Sequence, residues 1–150
     1  MIDTSVWFNG RTCTEAILAL GAGRADGYWS SQIVGELTRT RLWVGGLDLG
    51  RRSMTQTEYL TYRERQYQLI AEIDRVCRIA QSAGTDPTES ELIWAAADLD
   101  DLHVQVFARV VAADYVVSLN TRHFPNPQRI GRDQRGELQG IVWITPNQIF

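Results

Sequence analysis

Two short segments of the sequence are apolar without the alternation that a half-exposed strand would show. Tyr115–Leu119 (YVVSL) and Gly140–Thr145 (GIVWIT) are rich in β-branched and other apolar residues. Continuous apolar runs of this length suit strands that are buried on both faces of a parallel sheet. A sheet of this kind needs helices to cover it, so these two segments predict an α/β fold.

Helical patterns alternate with these strands along the chain. Gly27–Ser30 (GYWS) predicts a short aromatic strand, and Ile2–Phe8 predicts the end of a buried strand that runs into a turn. Glu91–Ala97 fits a helix and a strand equally well. Since helices and buried strands alternate, we expect βαβ units and helices on both sides of the sheet. The predicted helices span Thr12–Leu20, a segment to about Arg41 with Ser30 or Ser31 as its N-cap, about Thr55 to Ala83, and the segment that begins near Asp101.

Length and composition indicate one ordinary domain over residues 1–150. The chain is 44% hydrophobic and 22% charged, and no apolar run approaches the roughly 20 residues needed to span a membrane. Met1-Ile2-Asp3 carries no basic or apolar signal stretch, so we expect a cytoplasmic protein. Cys13 and Cys77 lie far apart and outside any metal-binding pattern, which favours reduced thiols over a disulfide.

The net charge argues against binding nucleic acid by bulk electrostatics alone. It is −3, with a pI near 5.3. The 15 basic residues are all arginine, and arginine binds phosphate through paired hydrogen bonds. The pairs Arg39/Arg41 and Arg51/Arg52 are therefore local candidates for contact with a phosphate backbone.

Polar residues recur where the predicted strands end. Asp3 follows the first strand, Glu36 lies in the helix after Gly27–Ser30, Asp101 opens the helix before Tyr115–Leu119, and Asn120 follows that strand. Each has an ordinary explanation by itself, such as a helix cap, a turn residue or a solvated helix position. In an open parallel sheet, however, functional groups collect at the carboxyl ends of the strands, so we expect these side chains to meet.

Clustered carboxylates have a specific chemical use. They repel one another, and a hard divalent cation relieves that repulsion. The bound cation can generate a nucleophilic hydroxide and can neutralise the charge that develops on a phosphate. The pattern therefore predicts a Mg²⁺ site suited to phosphodiester hydrolysis. His103 and His123 lack metal-binding spacing, and the helical pattern places His103 on an exposed face.

Four segments in order along the chain resemble the motifs of the PIN-domain nuclease family. Asp3-Thr4-Ser5-Val6 resembles the first acidic motif, and Ser30–Leu37 (SSQIVGEL) resembles the second. Asp98–Val104 (DLDDLHV) is similar to the third. Ala113–Asn120 (ADYVVSLN), followed by His123-Phe124-Pro125, is similar to the fourth, and Gly140–Pro146 fits the last strand of one bacterial branch.

The resemblance implies a three-layer α/β/α sandwich with a central, mainly parallel sheet. It also implies cleavage of RNA that depends on Mg²⁺ or Mn²⁺, and many small bacterial members are toxins of toxin–antitoxin pairs. Asp3, Glu36 and Asp101 match the acidic positions, so they are the expected catalytic residues and metal ligands.

The sequence departs from the family pattern at two places. Asn120 stands where many members have a fourth aspartate, so it offers an oxygen ligand without charge, and Asp98 is a possible substitute ligand. Only Met1 and Ile2 precede Asp3, which leaves a late start or a shortened first strand as alternatives. We also expect Ser5, Ser118 and Arg39 to contact the substrate.

Two other functions are compatible with the sequence. A PIN-like fold with weakened catalysis would serve as a nucleic-acid or protein binding module, and Asn120 and the acidic pI favour it. A nucleotide-binding or receiver-like domain is disfavoured because no GxGxxG or GxxxxGK[ST] loop is present. The aromatic residues between Leu42 and Ile70 predict a homodimer or a protein partner, such as an antitoxin. These residues are Trp43, Tyr59, Tyr62 and Tyr67.

Overall fold

The structure, a computed structural model, describes residues 1–44, 54–80, 85–96 and 98–150. The basic pair Arg51/Arg52 and the predicted helix end at 81–83 lie outside the described residues. The described part is a mixed α/β fold, as the sequence predicts. Within it, no helix combines the length and the apolarity needed to cross a membrane.

Six α-helices account for most of the regular structure described. They are α1 (Thr4–Phe8), α2 (Gly10–Gly21), α3 (Ser31–Thr38), α4 (Gln56–Val76), α5 (Glu89–Ala95) and α6 (Leu102–Val110). A π-helical segment, Arg39–Val44, continues from α3. Short 3₁₀ turns span Leu99–Asp101, Thr121–His123 and Pro146–Gln148.

Among the described residues, six strands form two small sheets. They are β1 (Gly27–Ser30), β2 (Cys77–Ala80), β3 (Tyr115–Val117), β4 (Gln128–Ile130), β5 (Asp133–Leu138) and β6 (Ile141–Ile144). β1 and β2 pair in parallel, with Gly27 opposite Cys77. The other sheet has the order β3-β6-β5-β4, in which β3 and β6 are parallel and the other two pairs are antiparallel.

The first three residues connect the two sheets. Ile2 N donates to Tyr28 O of β1 at 2.9 Å, while Asp3 N donates to Val117 O of β3 at 2.9 Å. Val117 N in turn donates to Met1 O at 3.0 Å, which completes a parallel bridge between Ile2 and Val117. Met1–Asp3 therefore lies between β1 and β3 and fixes Asp3 at the ends of both strands.

Local sequence signals explain most of the helix boundaries. Ser30 Oγ accepts from Ile33 N at 3.1 Å and caps α3, as predicted. Thr55 and Glu58 form a capping box at the start of α4. The ambiguous segment Glu91–Ala97 is helical from Glu89 to Ala95, while Ala97 lies outside the described residues.

The structure corrects two of the predicted elements and adds a hairpin. Ile2–Phe8 is a single bridge at Ile2 followed directly by helix α1. The long helix ends at Val76, because Cys77–Ala80 pairs with β1 as a strand. The polar hairpin β4–β5 was not predicted, and it makes the larger sheet mixed.

The core lies between the strands and the helices. It contains three fully buried tryptophans, of which Trp7 and Trp29 meet edge to face with ring centroids 6.5 Å apart. Trp143 of β6 donates from Nε1 to Gln105 Oε1 at 2.9 Å, so its polar group is satisfied inside the core. Cys13 and Cys77 are both buried and unbonded.

Candidate functional site

Asp3 is held by hydrogen bonds to both of its carboxylate oxygens. Thr4 N donates to Oδ1 at 2.7 Å, and the hydroxyls of Ser5 and Ser118 donate to Oδ2 at 2.6 and 2.7 Å. The side chain caps α1 and is only 8% exposed. These donors hold the carboxylate in one orientation at the carboxyl end of β3, where its charge is compensated by oriented dipoles.

Glu36 is linked to Asp3 through Thr4. Thr4 Oγ1 donates to Glu36 Oε2 at 2.6 Å, and Glu36 lies on α3 with its side chain 37% exposed. The other oxygen, Oε1, lies 3.9 Å from His103 Nε2 of α6. Glu36 is therefore oriented by one short hydrogen bond while it keeps access to solvent.

Asp101 lies at the start of α6, but its side chain does not cap the helix. It instead hydrogen-bonds His123 Nδ1, which also lies 3.3 Å from Asp98 Oδ2. Burial raises the pKa of Asp101, and repulsion by Asp3 and Asp98 raises it further, while the His123 hydrogen bond opposes the shift. Asp3 and Asp98 are therefore the acids whose charges raise the pKa of Asp101.

Asp98, Asp101 and His123 can hold a metal ion. One ligand atom from each lies within 4.8 Å of the others, and all three side chains are partly buried. Two carboxylate oxygens and an imidazole nitrogen are donors that divalent cations use in proteins. Asp98 was named from the sequence as a possible extra ligand, and the structure places it at the site.

His123 is the residue that the sequence analysis missed. It is 22 residues from Asp101 and reaches it from the 3₁₀ turn Thr121–His123, which begins four residues after the end of β3. One feature of the sequence could have identified His123 as a site residue. It lies three residues after Asn120, at the same sheet edge. Asn120 itself contacts His123, with Nδ2 2.9 Å from Nδ1, and its backbone nitrogen donates to Ser118 Oγ at 3.0 Å.

The three residues expected to contact substrate have different positions. Ser118 is fully buried and donates to Asp3, so its hydroxyl orients that carboxylate rather than reaching a substrate. Ser5 also donates to Asp3 and accepts from Leu119 N at 2.9 Å. Arg39 is exposed and lines a groove together with Glu36, where it remains available to a ligand.

Two expectations about basic residues need correction. The side chain of His103 is only 14% exposed rather than solvated, because it faces Glu36. Arg41 is not available to bind a phosphate backbone, since its guanidinium donates to Trp7 O and to Gln66 Oε1. Arg41 therefore stabilises the contact between the π-helical segment, α1 and α4.

The chain was compared with protein-family models, with curated proteins and with solved structures, and none of the three comparisons gave a match. Any assignment of function therefore depends on the geometry of the site.

Proposed function

We propose that this protein is a metal-dependent ribonuclease of the PIN type, which hydrolyses RNA phosphodiesters. The observation that supports this most strongly is the convergence of three acids from separate elements. Asp3 follows the bridge to β3, Glu36 lies on α3 and Asp101 begins α6, yet Thr4 joins the first two and electrostatic repulsion couples the first to the third. Chance does not readily bring partly desolvated carboxylates together, because their repulsion destabilises the fold.

A Mg²⁺ or Mn²⁺ ion would be held by Asp101 with Asp98 and His123, while Asp3 lies outside this set and acts on Asp101 through its charge. When bound, such an ion supplies an activated water and neutralises charge on the phosphate. Asp3 is fixed by three donors, so it can contribute negative charge without reorganising. Glu36 has a solvent-accessible carboxylate, so it can orient the attacking water or accept its proton.

We also propose that the mixed α/β fold is of the PIN-like type. With Met1–Asp3 between β1 and β3, the strands run in the order β2-β1-(Met1–Asp3)-β3-β6, and the pairs β1–β2 and β3–β6 are parallel. This arrangement supports a mainly parallel central sheet, extended by the hairpin β4–β5, in a PIN-like three-layer sandwich.

A weakened binding module is the second candidate, and Asn120 is the observation that favours it. This neutral amide contacts His123 at the position where the family pattern has a carboxylate. A site with one charge fewer binds a divalent cation more weakly. The module would bind nucleic acid or protein without hydrolysing it.

Protein partners remain part of the proposal. Helix α4 exposes Leu60 and Tyr67 to 45% and 50%, and only Ile73 of this helix is fully buried. Tyr62 is less available to a partner, since its hydroxyl donates to Arg41 O at 2.7 Å. The side chain of Trp43 is not among the side chains that the structure describes. We propose the exposed side of α4 as the place where an antitoxin or a second copy of the chain would bind.

The experiment that tests the proposed function is cleavage of a mixed-sequence single-stranded RNA by purified protein in Mn²⁺, with EDTA as the control. Cleavage that stops in EDTA supports the ribonuclease. If no RNA or DNA is cleaved while nucleic acid still binds, the protein is the binding module instead.

A further inference from the structure

A surface groove runs from Glu36 along α3. It has a volume of about 620 Å³, which is within the range of small-molecule sites. One wall is formed by α3 and the first residue of the π-helical segment, and the other by the 3₁₀ turn Leu99–Asp101 and α6. Because Glu36 belongs to both the groove and the acid cluster, a ligand in the groove would be contiguous with a substrate at the cluster.

The α3 wall is polar and open. Gln32, Gly35, Glu36 and Arg39 recur at intervals of three and four residues, so they share one face of the helix. Gln32, Gly35 and Arg39 are exposed, and Arg39 forms no ion pair within the part of the chain that the structure describes. The single positive charge of this wall lies about one helical turn beyond the carboxylate of Glu36.

The opposite wall is mainly apolar. Leu99 is 66% exposed beside the groove, and Leu102 is half-buried there. Phe107 is 7% exposed and lies at the inner side of the same wall. An apolar wall that faces an arginine and an amide is suited to a ligand with one flat apolar part and one anionic part.

We propose that this groove binds one nucleotide unit of a single-stranded substrate, with its phosphate at Arg39 and Gln32 and its base against Leu99 and Phe107. Arginine donates paired hydrogen bonds to phosphate oxygens. Flat bases pack on apolar side chains without sequence preference. The inference rests on the proposed function, because it takes the acid cluster as the place where the same strand is cut.

Gly35 allows the groove to be filled without disturbing the fold. A Cβ at this position would meet no atom within 4 Å, and leucine has a better helix propensity than glycine. Gly35→Leu therefore keeps or raises the melting temperature while it occupies the groove. Gly10→Leu is the control, because a Cβ at Gly10, the first residue of α2, would also meet no atom within 4 Å and Gly10 does not line the groove.

The test measures binding to metal-free protein in EDTA, so that its outcome is separate from hydrolysis. The probes are AMP, adenosine and a 5′-phosphorylated tetraadenylate. Binding is followed by the side-chain ¹⁵N resonances of the two histidines, of which His103 lines the groove and His123 does not. The variants are Gly35→Leu and Arg39→Gln, with Gly10→Leu and Arg11→Gln as their controls.

We expect saturable AMP binding that shifts the His103 resonances and leaves His123 unchanged. Arg39→Gln should weaken AMP binding roughly tenfold, and Gly35→Leu should abolish it. Both control variants should bind AMP as the wild type does. The tetraadenylate should bind more tightly than AMP. The proposal is overturned if adenosine binds as tightly as AMP, if Gly35→Leu binds normally, if only His123 responds, or if the tetraadenylate binds more weakly than AMP. Nucleotide binding without any RNA cleavage in Mn²⁺ would leave the groove assigned and overturn the ribonuclease.

Discussion

Thr4 donates a 2.6 Å hydrogen bond from Oγ1 to Oε2 of Glu36, across 32 residues of sequence. The same residue donates its backbone nitrogen to Asp3. Thr4, the residue that follows Asp3, thus orients Glu36. The acid cluster therefore has a fixed geometry before any ligand binds.

Removing this hydroxyl should reduce activity more than stability. Thr4→Val keeps the shape of the side chain, and Glu36 remains partly solvated, so we expect a loss of about 1 kcal/mol or less in the free energy of unfolding. RNA cleavage should fall roughly ten- to a hundredfold, because Glu36 loses its orientation. Thr14→Val is the control, since the exposed Thr14 donates its hydroxyl to Gly10 O within α2. Equal activity of the two variants would contradict the positioning role.

The buried ion pair between Glu91 and Arg109 should govern the acid sensitivity of the fold. Arg109 Nε donates to Glu91 Oε1 at 2.9 Å, and the glutamate side chain is completely buried. Burial alone would raise the pKa of Glu91, but hydrogen bonds from Arg109 and Thr88 bring it below its ordinary value. A lowered carboxylate pKa contributes stability above the unfolded-state pKa, and that contribution is lost as the pH falls through the folded-state pKa.

Glu91→Gln should therefore destabilise the protein by about 2 kcal/mol at pH 7. The difference from wild type should shrink as the pH falls through the folded-state pKa of Glu91, which lies below its ordinary value. Urea unfolding from pH 3 to pH 7 measures this, with exposed Glu89→Gln on the same helix as the control. A destabilisation that is constant over the whole range would show that the charge of Glu91 is not the cause.

His123 should set the metal preference of the site. His123→Gln removes the imidazole from the set of three ligands, and imidazole favours Mn²⁺ over Mg²⁺. We expect the Kd for Mn²⁺ to rise roughly tenfold, with a smaller change for Mg²⁺. His103→Gln alters the other histidine, outside that set, and should leave the Mn²⁺ affinity close to wild type. Calorimetric titration decides this, and an equal effect of both histidines would remove His123 from the ligand set.

Asn120→Asp should strengthen the site and weaken the metal-free fold. The new carboxylate would join Asp98 and Asp101 around His123, which adds a charged oxygen ligand and also adds repulsion. We expect a lower melting temperature in EDTA and a larger stabilisation by Mg²⁺ than in wild type. A variant that melts at the wild-type temperature in both conditions would place position 120 outside the site.

Much of this architecture could be predicted where the signal is local. The apolar runs at β3 and β6, the cap at Ser30 and the acids at strand ends are patterns of neighbouring residues. β2 could not be predicted, because Arg78 and Ile79 are both exposed and no glycine or proline marks the end of α4. The pairing of β2 with β1 joins segments about 50 residues apart. The placement of His123 beside Asp101 likewise could not be predicted, because it depends on a turn whose direction the sequence does not specify.

The most direct test of the central claim is whether Asp3 and Asp101 act as one unit in RNA cleavage. The measurement compares initial rates in Mn²⁺ for the wild type, Asp3→Asn, Asp101→Asn and the double variant. Asp74→Asn, on the exposed side of α4, is the control, and an EDTA arm accompanies each protein. We predict that either single change abolishes most of the activity, that the double variant loses little more, and that Asp74→Asn cleaves normally. Cleavage that persists in EDTA, or that survives both active-site substitutions, would contradict the account.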